Sequence, residues 1–137
     1  MSDADDGGHA RKLYSLFAKD REGYIKLHGP STKPAVGQMV AKESYLPELV
    51  EQGSEPRNQG SELIRTAVHD GKHYRATEML GLYVMIRLPP STPGTDDGWI
   101  YGTLTPAGEV TSAGRVPSCM GCHESARHGR LFGRDTM

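Results

Sequence analysis

The sequence is poor in several things at once, and each shortage narrows what the chain can be. It has only two cysteines in 137 residues, too few for a disulfide-framed secreted scaffold. Phe is also scarce, with two in the chain. No apolar run approaches the roughly 18–20 residues that a spanning helix needs, so no membrane span is expected. A net charge of −1 gives no basic face for nucleic acid or an anionic membrane. No repeat, heptad or low-complexity tract is visible, which excludes solenoids and coiled coils.

What is abundant is turn chemistry, with 17 Gly and 9 Pro. That richness suits many short elements joined by tight turns, as in a β-rich fold. The length fits a single domain over 10–137. Residues 1–9 are acidic and small, read as a disordered tail.

The patterning predicts an α+β fold, mainly antiparallel sheet, with a short N-terminal helix and a C-terminal helix. Leu13, Leu16 and Phe17 have helical spacing within Ala10–Asp20. A loop follows over His28–Pro34. Val36–Tyr45 alternates as a strand, with Val36, Gln38, Val40, Lys42 and Ser44 on one face. Polar Pro47–Gly60 reads as a surface loop. Ser61–His69 and His73–Glu78 flank Asp70-Gly71, a hairpin signal. Leu80–Leu88 and Trp99–Leu104 read as strands separated by a loop over Pro89–Gly98, and Pro106–Glu109 turns into Val110 and Thr111. The segment after Pro117 is expected to be helical to about Gly129.

Residues 119–123 read CMGCH, the motif of covalent c-type haem attachment. Two thiols three positions apart on one helical turn can each form a thioether with one haem, and the adjacent imidazole can ligate the iron. The motif assigns Cys119 and Cys122 to covalent attachment and His123 to the axial position. A thioredoxin-like redox pair would need a βαβ context that the pattern lacks. A zinc site that adds His123 and His128 to the two thiols stays open as an alternative, although no second CxxC exists. The chain offers six Met and five His besides His123, but none stands out as a sixth ligand. Met39, Met79 and Met85 lie in strands, where Met is commonly core filler. His28, His69, His73 and His128 lie near turns and are expected to be solvated.

In three ordered segments between about Gly37 and Phe132 the chain resembles the cytochrome P-460 and cytochrome c′-β family. GQMVAKES (Gly37–Ser44) is similar to its Val-x-Lys-Glu strand. EMLGLYVMI with GWIYGTL (Glu78–Ile86, Gly98–Leu104) resembles its central strands, and CMGCHESARHGRLF (Cys119–Phe132) its haem-attachment site. Only CxxCH is sharply specific by itself. The resemblance implies an antiparallel sheet with a few helices, usually as a homodimer, in the periplasm. It further implies one covalent haem c, oxidising hydroxylamine at a five-coordinate iron and passing electrons to a redox partner. The start MSDADDGG carries no export signal, so a native one is expected to have been removed.

The family's Lys cross-link to the porphyrin edge falls on Lys42, which would make the cofactor a Lys-modified haem P-460. From the residues alone, Lys42 reads as a strand Lys snorkelling to water. Glu78, Tyr101 and Arg115 are the candidates for distal polar groups. The family's other branch, a nitric-oxide-binding module of c′-β type, and a plain electron-transfer cytochrome are the alternatives. Phe17 and Phe132 lie outside the expected strands, so an aromatic-capped gas pocket is not evident.

Overall fold

The computed structural model describes residues 1, 11–27, 32–54 and 65–133. Almost all of the acidic tail, His28–Ser31 of the first loop and Ser61–Ile64 of an expected strand lie outside them. The elements run β1 (Leu13–Ala18), α1 (Arg21–Ile25), β2 (Met39–Val50), β3 (Thr66–His69), β4 (Lys72–Arg87), β5 (Trp99–Leu104), β6 (Val110–Gly114) and α2 (Pro117–His123). Hydrogen bonding orders the strands β1-β2-β4-β5-β6, with β3 paired to β4. The mainly antiparallel sheet and a helix near the C-terminus are as expected, whereas the N-terminal helix is not found where it was expected.

The expected helix over Ala10–Asp20 is instead β1. Three apolar residues at helical spacing are too few to offset the cost of nucleating a short helix. The same Leu, Tyr and Phe serve a strand equally well once a neighbour supplies the ladder. The Lys19 amide donates to the Met39 carbonyl at 2.9 Å, joining the end of β1 to the start of β2. Helix begins only where a cap exists: Asp20 Oδ1 accepts the Gly23 amide at 2.9 Å, and α1 follows.

β2 also departs from expectation, running past Tyr45 through Pro47 to Val50. β2 has twelve residues and β1 six. β2 therefore outruns β1, and among the described residues its distal half has no β1 residue beside it, a position where a proline without N–H is tolerated. The strands expected over His73–Glu78 and Leu80–Leu88 are one strand of sixteen residues. Gly81 sits inside it at φ 147°, an angle that Gly adopts without a Cβ penalty, and the strand runs on through it.

The chain divides into two compact units, Met1–Ser15 with Glu43–Gly81, and Leu16–Lys42 with Leu82–Met137. In the first, the Asp70-Gly71 turn joins β3 and β4 in register Thr66↔Arg75 to His69↔Lys72. Both turn residues have positive φ, 50° and 70°, the signature of the type I′ turn whose twist matches paired strands. Arg65 donates to Ser15 Oγ at 2.6 Å and Glu43 at 2.7 Å and lies over the Tyr45 ring. Arg75 is paired with Glu48.

The second unit holds the core: Tyr24, Leu27, Val40, Met85, Trp99, Tyr101 and Leu131. β4 meets β5 from Leu82↔Leu104 to Arg87↔Trp99, and β5 meets β6. Met85 is core filler, as its strand position suggested. Trp99 is fully buried, and its indole N–H donates to the Gly129 carbonyl at 2.7 Å. Removing it would leave a large cavity and an unpaired carbonyl. Trp99→Ala is expected to lower unfolding free energy by roughly 3–5 kcal/mol, read from the urea midpoint at unchanged slope.

Candidate functional site

α2 spans Pro117–His123 rather than reaching Gly129. Val116 is extended before Pro117, and Pro occupies the first turn, where its missing N–H costs nothing. Three residues apart on this helix, Cys119 and Cys122 present both thiols to one side. Both are free thiols; Cys119 is half-buried against the core with Met120, and Cys122 is exposed. Burial pushes the Cys119 thiol pKa up.

His123 closes the helix, its ring flanked by Tyr101 at 5.7 Å and by the edge of Phe132 at 5.2 Å. Its Nδ1 lies 2.7 Å from the Arg130 carbonyl oxygen. A carbonyl only accepts, so Nδ1 carries the hydrogen and the neutral ring presents a lone pair at Nε2. Burial depresses the imidazole pKa; the Arg130 carbonyl opposes this, and the Lys42 charge reinforces it. A neutral His with Nδ1 donated and Nε2 available is the form that ligates iron.

The carbonyl that orients His123 is itself held. Arg130 adopts φ 78°, in the left-handed region. Its guanidinium grips the buried Asp96 through Nε at 2.9 Å and Nη2 at 2.8 Å. Asp96 Oδ2 also accepts the Tyr101 hydroxyl at 2.7 Å. Burial and the Asp96 carboxylate push the Tyr101 pKa up.

Lys42 follows Val40 on β2, and that strand face is buried at Gln38, Val40 and Ser44. Glu43, by alternation, binds Arg65 and Tyr45 instead. Half-buried Lys42 thus lies on the strand's inward face, within electrostatic reach of His123. Cys119, Cys122, His123, Tyr101 and Lys42 belong to one unit. Tyr101 flanks His123 with its hydroxyl committed to Asp96; Arg115 is exposed, and its charge reaches Asp96. Glu78 is exposed on β4, in the other unit.

His128 is a correction. Expected to be solvated, it is 1 % exposed, and its Nδ1 lies 3.1 Å from the Thr32 carbonyl. A turn-rich neighbourhood does not prevent burial when the segment folds back over a core. Among the described residues no three His, Cys, Asp or Glu side chains converge as a zinc ion would require. No described helix is long and apolar enough to cross a membrane. Asp96, Arg130 and Phe132 are the site residues that sequence reasoning missed; nothing in DDGW or HGRLF distinguishes them from loop residues. No protein-family model and no curated protein matches the chain.

The Arg130 hydrogen bond holds the Asp96 carboxyl below its ordinary pKa against the opposing effect of burial, with the Tyr101 hydroxyl assisting. A depressed folded pKa stabilises the fold above the unfolded value of about 3.9. That stability is lost as pH falls through the folded value. Asp96→Asn is expected to cost roughly 2–4 kcal/mol at neutral pH, since it leaves Arg130 without its charge partner. Urea titrations at pH 7 and pH 3 should show the gap from wild type narrowing in acid.

Proposed function

We propose that this chain is a c-type haem protein of the cytochrome P-460 type that oxidises hydroxylamine in the periplasm. The observation that carries the reading is His123, closing a CxxCH helix with Nδ1 donated to the Arg130 carbonyl and Nε2 left as the ligating nitrogen. The donor set fits haem better than zinc: one imidazole in ligand form, two free thiols on one helix and, among the described residues, no three His, Cys, Asp or Glu side chains grouped as a metal ion would need.

Cys119 and Cys122 would hold the haem by adding S–H across its two vinyl groups, and His123 would take the iron. When bound there, the haem would supply the redox chemistry for hydroxylamine oxidation, with the electrons leaving to a redox partner. Core packing of Cys119 and Met120 fixes the helix. Tyr101 and Phe132 limit rotation of the imidazole.

Lys42 is the residue proposed for the third covalent bond, between its amine nitrogen and a porphyrin edge carbon. Its inward strand face and its electrostatic reach to His123 support this role. Replacing C–H by C–N removes two electrons and two protons, so the bond needs an external two-electron oxidant. Desolvation of the amine beside an apolar ring favours the neutral nucleophile.

Mass spectrometry of the chain from a host that matures c-type haem should show one added haem that survives acid–organic extraction. Cys119→Ala with Cys122→Ala should abolish it, and an extractable haem would refute the reading. Peptide mapping tests the third bond. Lys42→Leu should keep the thioether haem but lose a red-shifted ferrous Soret band and most hydroxylamine turnover. An unmodified Lys42 peptide from active protein would rule out the cross-link.

A further inference from the structure

The cluster behind His123 has more order than holding a loop requires. Arg130 is a non-glycine residue in the left-handed region, at φ 78°, a conformation that the Cβ makes unfavourable. That conformation presents its carbonyl to His123 Nδ1 at 2.7 Å. Its side chain meanwhile forks onto both oxygens of Asp96, which is 6 % exposed. One of those oxygens takes the hydroxyl of Tyr101, whose ring flanks the same imidazole. One carboxylate therefore restrains two of the groups that touch His123, by separate routes.

We propose that Asp96 is a positioning residue for the axial ligand: through Arg130 it fixes the carbonyl that keeps the hydrogen on His123 Nδ1, and through Tyr101 it fixes the flanking ring. The proposal rests on His123 being the iron ligand. Which nitrogen of a neutral imidazole carries hydrogen is set by the partner of the other. A firm acceptor at Nδ1 also makes Nε2 the stronger donor to a metal. A merely structural Arg–Asp pair would hold the 129–131 segment without controlling either property.

The test compares wild type, Asp96→Asn, Arg130→Ala and Tyr101→Phe as full chains from a host that matures c-type haem. Where haem is attached, resonance Raman of the ferrous protein reads the iron–histidine stretch. Asp96→Asn and Arg130→Ala should lower its frequency. Tyr101→Phe removes one donor to Asp96 and keeps the ring, so it should lower the frequency by less. An unmoved band in any folded Asp96 or Arg130 variant overturns the proposal.

Where no haem is attached the functional reading fails, and long-range nitrogen–proton correlation of the His123 ring decides the positioning role alone. Wild type should show a single Nδ1–H form at neutral pH, and Asp96→Asn a mixture. A wild-type ring that is already mixed, or hydrogenated at Nε2, overturns the proposal without any variant. So does a folded Asp96→Asn that stays locked.

Discussion

Asp96 accepts three hydrogen bonds through two oxygens, two from the fork of Arg130 and one from the hydroxyl of Tyr101. A carboxylate removed from water is costly unless donors replace the lost hydration. Tyr101 comes from β5, but Arg130 arrives only when the chain folds back after α2. Closure of the C-terminal segment and satisfaction of Asp96 are therefore one event. Trp99 strengthens the same closure by giving its indole hydrogen to Gly129. His123 gains its acceptor as a result, because residues 129–131 are then fixed on three sides: Gly129 to Trp99, Arg130 to Asp96, and Leu131 into the core.

After His69 the strand-forming stretches were legible because their signals are local, although the break expected between Glu78 and Leu80 does not exist. Asp70-Gly71 encodes its own turn, and Trp99–Leu104 is bounded by turn residues on both sides. The alternation around Lys42 was legible too, since period two needs no knowledge of the partner. β1 was not, because Leu13, Leu16 and Phe17 serve either period, and only the ladder to β2 decides between them. Nor could β2 be read past Pro47, for edge position is a property of neighbours that the sequence does not print.

The site divides along the same line. CMGCH is contiguous, so its chemistry could be read directly. Asp96 and Arg130 are 34 residues apart, and each looks like an ordinary loop charge. Arg87 is the clearest failure of pattern. On β4 the face of Leu82, Val84 and Ile86 is only half-buried, whereas Met85 and Arg87 are buried. The guanidinium lies over the Trp99 ring at 5.4 Å and donates to the Asp97 carbonyl at 2.5 Å. Cation–π contact and that carbonyl together make burial of a charge tolerable, and no hydropathy pattern anticipates it.

The boundaries between the two compact units fall at Ser15/Leu16, Lys42/Glu43 and Gly81/Leu82. Each lies within a strand: β1, β2 and β4 respectively. The polypeptide thus passes from one unit to the other three times without leaving regular structure, and no single stretch of chain encodes either unit. Neither can be excised as a contiguous fragment. Unfolding of such an interleaved chain should be cooperative despite its bipartite packing. A gene fusion or circular permutation that respects this connectivity has to cut in the turns and spare the long strands.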